Sequence, residues 1–118
     1  MSIRPTEIKL HQVSRRLEIA FDDDTRFTLP CEYLRVFSPS AEVRGHGPGS
    51  ETLVTGKENV NISALEPVGN YAVRLVFDDG HATGLYSWEV LYDLAVHHTS
   101  HWQDYLARLA AVGYQRQV

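Results

Sequence analysis

The chain is poor in cysteine: a single thiol among 118 residues. One cysteine cannot build an internal disulfide framework, and the absence of a Cys-x-x-Cys pair removes the simplest zinc-ribbon and redox motifs. The usage fits a reducing compartment, so the cytoplasm is the expected location. Basic charge is also scarce, 11 Lys and Arg against 15 Asp and Glu for a net charge of -4. Backbone binding to nucleic acid draws on a basic face, and these arginines are scattered, so nucleic acid is not an expected partner. No apolar run approaches membrane-spanning length, and the stretch from Met1 to His11 is polar and mixed in charge, so neither a membrane segment nor a signal peptide is expected. What remains is an ordinary globular composition, 43% apolar, at a length that fits one domain spanning 1–118.

Alternating apolar positions come first. Ile8 and Leu10, then Leu17, Ile19 and Phe21, stand two apart with polar residues between, as in half-buried strands. The run Asp22-Asp23-Asp24 turns the chain into Arg26–Leu29, because Asp carboxylates bond nearby backbone N–H groups. Pro30 closes that strand, and Cys31 to Phe37 reads as a short helix. Val60–Glu66 and Tyr71–Phe77 alternate again, and Asp78-Asp79-Gly80 is a hairpin signal before a further strand at about His81–Leu85. Leu17–Leu29 parallels Val73–Leu85 at a constant offset of 56 residues. Duplication and a common strand–turn–strand pattern both account for that. The pattern predicts two hairpin-plus-helix units sharing one sheet. Towards the C-terminus, Ser87 is an N-cap for a helix ending near His97-His98, and Ser100-x-x-Gln103 matches a capping box for a second helix ending at Gly113. The expected fold is α+β: a mainly antiparallel sheet of about five strands with the C-terminal helices on one face.

Between Ser38 and Asn59 the pattern stops. This segment holds Ser-Pro-Ser and then Arg44-Gly45-His46-Gly47-Pro48-Gly49-Ser50, a long loop of the kind that often carries function. His46 lies between two glycines, which lets backbone approach a ligand and exposes the imidazole. His81 follows the Asp-Gly turn. Both are candidate ligands, with Glu42 or Asp79 as a possible third, because two histidines and a carboxylate are a recognised iron-binding set. His97, His98 and His101 are close in sequence, and two imidazoles four apart on a helix can chelate a metal. Thr99-Ser100 is expected to interrupt the helix there, and no carboxylate is evident to complete the set. Cys31 stands at a helix start, where a thiolate would be favoured, although a small buried thiol is the plainer reading. The aspartate runs lack calcium-loop spacing, the glycine-rich segment lacks the Gly-Lys-Ser/Thr ending of a phosphate loop, and no nucleophile–base pair marks a hydrolase or isomerase.

Taken together, the Leu34-Arg35 helix, Ser38-Pro39-Ser40-Ala41-Glu42-Val43, Gly45-His46-Gly47-Pro48-Gly49 and the Asp79-Gly80-His81 turn before Trp88 resemble the gamma-butyrobetaine hydroxylase-like N-terminal domain family. The resemblance runs from about Pro5 to Leu109. In the full hydroxylases, catalysis belongs to a following iron- and 2-oxoglutarate-dependent oxygenase domain, which this sequence does not contain, so no oxygenase activity is implied for it. Their N-terminal domain holds a structural zinc on a cysteine cluster and the histidine of an Asp-x-His turn. The matching positions here are Ser38, Ser40 and Val43, with His81 kept, so a zinc or iron cofactor is implied only with its thiolates replaced. Relatives fused to P-loop ATPases of the iron–sulfur cluster carrier class imply a protein partner in metal handling or cluster assembly. The resulting expectation is a non-catalytic adaptor binding its partner or ligand through Ser38, Ser40, Arg44 and His46. The alternative is a small iron- or zinc-binding protein using His46 and His81.

Overall fold

The computed structural model describes residues 3–40, Val43 and 52–117. Strands β1 (Pro5–His11), β2 (Arg16–Phe21) and β3 (Arg26–Pro30) precede helix α1 (Cys31–Val36). Strands β4 (Ile62–Val68), β5 (Ala72–Phe77) and β6 (Leu85–Ser87) then precede helices α2 (Trp88–Val96) and α3 (His98–Ala111). The fold is α+β, as expected, but the strands form two antiparallel three-stranded sheets, β1-β2-β3 and β4-β5-β6, rather than one sheet of about five. The units meet through faces instead of edges. Leu17, Ile19 and Phe21 of β2 and Val73, Leu75 and Phe77 of β5 all enter one buried core, which α1 and α2 complete with Tyr33, Leu34, Leu91 and Leu94. Packing face against face removes more apolar surface from water than pairing two edges would.

The 56-residue offset is visible in the hydrogen bonds themselves. In the first unit Phe21 N–H donates to Thr25 O (2.9 Å) and Asp24 N–H to Phe21 O (3.1 Å); in the second, Phe77 N–H donates to His81 O (3.0 Å) and Gly80 N–H to Phe77 O (3.3 Å). The Thr25 N–H bond to Asp23 Oδ1 (3.1 Å) recurs as His81 N–H to Asp79 Oδ1 (3.1 Å). Both turns need a left-handed residue, Asp24 at φ 68° and Gly80 at φ 91°. The two units are also tied by tyrosines. Tyr33 donates its hydroxyl to Leu94 O (2.6 Å) across the core, and Tyr86 donates to Leu34 O (2.5 Å).

Ser87 caps α2 by accepting the Val90 N–H (3.2 Å), as its sequence position predicts. The expected break at Thr99-Ser100 is not there. Residue His97 joins α2 to α3 at φ -100°, ψ 20°, and α3 begins at His98. Ser100 does not cap a new helix: its hydroxyl donates back to His97 O (3.1 Å). Helix α3 buries Tyr105 and Leu109 against Val36 and ends before Gly113 at φ 75°. Among the described residues no helix is long and apolar enough to cross a membrane.

Candidate functional site

Ser38, Ser40 and His81, 43 residues apart at the extremes of the Ser38–His81 contact, converge in the fold. Ser38 follows the C-terminal end of α1, where the backbone turns off the helix; His81 follows the tight turn after β5. Ser38 Oγ lies 3.0 Å from His81 Nε2 and accepts the Ser40 N–H (3.2 Å). Ser40 Oγ lies 2.7 Å from Thr83 Oγ1. Ser38, Ser40 and His81 are all buried, and so is Val43, whose N–H donates to Ser40 O (3.0 Å). Gly84 leaves the room this needs: a Cβ there would sit 2.5 Å from Ser38 Oγ.

The donor set does not fit the zinc or iron that the family resemblance implies. Structural zinc takes four thiolate or imidazole ligands, whereas these positions supply two hydroxyls, an isopropyl group and one imidazole. Both hydroxyls are already engaged in hydrogen bonds within the cluster. Neutral serine oxygens are weak ligands for such ions, and the cluster therefore acts as a polar knot that ties the end of α1 to the β5–β6 connection.

A charged layer adjoins this knot. Asp79, besides accepting the His81 N–H, receives Arg35 Nε at 2.9 Å and Lys57 Nζ at 2.6 Å on Oδ2. Burial pushes the Asp79 carboxyl up, but Lys57, the His81 N–H and Arg35 together outweigh it and hold the group at about 2. With its oxygens committed to these donors, Asp79 serves the fold rather than a metal. Cys31 is fully buried at the start of α1, and burial pushes its thiol up to about 11, which disfavours the reactive thiolate.

A groove of about 610 Å³ opens beside this region, between the end of α1, residues 52–54 and helix α3. Val36, Phe37, Val43, Leu53, Val54 and Leu94 give it an apolar floor, and Asp93, His101, Asp104 and Arg108 stand in its lining. Tyr105 fastens the wall by donating its hydroxyl to Val54 O (2.6 Å). Val43 and Thr52 are joined by a Thr52 N–H to Val43 O bond (2.7 Å). Of the residues singled out in the sequence, Arg44, His46 and Glu42 lie outside the described residues. Thr83, Arg35 and Lys57 carry no signal in the sequence as partners of the cluster, whereas the family pattern assigns Ser38, Ser40, Val43 and His81 to one set of positions.

The sequence pairs His97 with His101 as imidazoles four apart, and the structure adds a third member. Asp93, His97 and His101 bring one ligand atom each to within 4.8 Å of one another. The carboxylate thought to be missing is Asp93, one turn before His97. His98 points elsewhere, its ring 4.4 Å from that of Tyr33.

Comparison with known proteins gives the family. No curated protein matches the chain. A protein with an NMR solution structure is 61% identical, with 98% of this chain and 86% of that one covered and a TM-score of 0.83. A second NMR solution structure, of a protein 47% identical, covers 97% of this chain and 90% of its own, also at 0.83. A crystal structure of a DUF971-family protein of unknown function from Acidithiobacillus ferrooxidans is 40% identical over 78% of this chain and 92% of that one, with a TM-score of 0.66. The family described as gamma-butyrobetaine hydroxylase-like, N-terminal, matches residues 8–92, and the chain belongs to that family.

Proposed function

We propose that the chain is a non-catalytic interaction module that takes a segment of a protein partner into the groove between α1, residues 52–54 and α3. The observation that carries this reading is the groove itself, whose lining sets apolar side chains such as Phe37, Leu53 and Leu94 beside the carboxylates of Asp93 and Asp104, with Arg108 as its one guanidinium among the described residues. Such a surface suits an aliphatic or aromatic anchor flanked by Lys or Arg, since the anchor fills the floor and the cations meet the carboxylates. Val43 and Thr52, which flank residues 44–51 in the sequence, are bonded to each other and both line the groove. For that reason Arg44 and His46 remain the loop residues proposed to touch the partner. The fusions known in the family favour an iron–sulfur cluster carrier ATPase of the P-loop class as that partner, which would place the module in metal handling. A mononuclear metal site on His46 and His81 has less support, because His81 turns Nε2 towards Ser38.

The test is direct binding of such a purified ATPase to the untagged chain by calorimetry. Leu53→Asp places a charge on the apolar floor and is expected to weaken binding about tenfold or more, as hot-spot losses do. Arg44→Ala with His46→Ala is expected to leave folding intact and reduce capture. Unchanged affinity in both variants would remove the groove and the loop from the interface.

A further inference from the structure

We propose that Asp93, His97 and His101 form a binding site for a zinc-class divalent transition-metal ion at the α2–α3 junction. The helical bonding runs through the junction: His97 N–H donates to Asp93 O (3.0 Å) and His101 N–H to His97 O (2.9 Å). The three side chains therefore stand one turn apart on a single face, although the chain passes from one helix to the next. Asp93 Oδ1 is 3.1 Å from His97 Nδ1, and Asp93 Oδ2 is 3.9 Å from His101 Nε2. Zinc with bonds of about 2.0–2.2 Å to nitrogen and oxygen holds tetrahedral ligands about 3.3–3.5 Å apart, and one ligand atom from each of the three residues already lies within 4.8 Å of the others. The side chains of Asp93, His97 and His101 are 62%, 54% and 35% exposed, which leaves their rotamers free to close the remaining gap. His97 has to release its Nδ1 contact with Asp93 O (3.0 Å) to do so. His101 is the anchored member, its ring 5.3 Å from that of Phe37.

Two imidazoles and one carboxylate are the ligand set of open metal sites, in which water or a substrate takes the fourth position. Asp93 and His101 both belong to the lining of the groove, so an ion held by them would stand at its edge. A bound ion would present a Lewis-acidic centre at the groove rim, able to accept a carboxylate, imidazole or thiolate from whatever docks there. The site itself rests on the helix geometry and not on the groove having a partner.

Untagged protein, freed of metal with a chelator and dialysed, is titrated with zinc chloride by calorimetry and by amide chemical-shift mapping. The expected result is one saturable zinc per chain with the largest shifts around Asp93–Asp104. His101→Ala and His97→Ala should each weaken binding about tenfold or more, as loss of a ligating or orienting group does, while His98→Gln leaves it unchanged. Both variants alter exposed or half-exposed positions, and unchanged thermal unfolding checks that each remains folded. Absence of saturable binding, or equal affinity in a His97→Ala/His101→Ala double variant, would overturn the assignment.

Discussion

Replacing Asp79 with Asn tests the charged layer that positions the serine–histidine knot. The amide keeps an oxygen to accept the His81 N–H but removes the charge facing Arg35 and Lys57. With the carboxyl held at about 2 in the folded chain against an ordinary 3.8, its ionised form contributes about 2 kcal/mol at neutral pH. The loss on substitution is larger if Arg35 is left without its partner, because the side chain is buried and its Nη1 has no hydrogen-bond partner of its own. A total of about 2–4 kcal/mol follows. At about 2.1 cal/mol/K of unfolding entropy per residue, the chain as a whole changes by about 0.25 kcal/mol/K, so the melting temperature should fall by about 8–16 °C. The pH dependence has a definite sign. A depressed carboxyl stabilises above its unfolded value, so the wild-type advantage is full at pH 5–7 and declines as pH falls from 3.8 towards 2. Urea unfolding of both proteins between pH 7 and pH 3 measures this, with the gap at pH 3 down by about 1 kcal/mol. A gap below about 1 kcal/mol at pH 7, or one that does not narrow with acid, would refute the argument.

The close approach at Gly84 gives a second prediction. Gly84→Ala sets a methyl 2.5 Å from Ser38 Oγ and 3.2 Å from the Tyr86 ring, which should cost about 1–3 kcal/mol in urea unfolding, with partial rescue by Ser38→Ala. An unchanged midpoint would show that the knot is loose. For Cys31, burial and a thiol raised to about 11 predict that an aromatic disulfide reagent at pH 8 reacts only as the chain unfolds, so the rate should climb with urea. Stoichiometric reaction within seconds in native buffer would contradict it.

Much of the fold was legible because it is written twice. The offset of 56 residues between Phe21 and Phe77 carries over to turn hydrogen bonds, a left-handed residue and an Asp carboxylate that caps the turn. The strand expected at about His81–Leu85 appears only as Leu85–Ser87. In the first unit the turn leads straight into β3, whereas in the second the residues after Gly80 are drawn aside by bonds to Ser38 and Ser40. Local alternation could not announce a competition with residues more than 40 positions away. The sheet count failed for a related reason, since alternation says which side of a strand is apolar but not which strand lies beside it. At the helix junction, the polar pair Thr99-Ser100 read as a break, yet Ser100 returns its hydroxyl to the preceding turn and the helical bonding continues. That misreading also hid the Asp93–His97–His101 spacing. The groove is assembled from α1, residues 52–54 and α3, and no single segment carries its signature.

The proposed interaction surface is tested most directly by recording amide shifts of the labelled, untagged chain while the purified cluster-carrier ATPase is added. Concentration-dependent changes centred on Phe37, Leu53, Val54, Leu94 and Tyr105 are predicted, with little change on the outer strand β1. Saturable binding whose changes fall on β1, or no change at partner concentrations well above micromolar, would contradict an interface built on this groove.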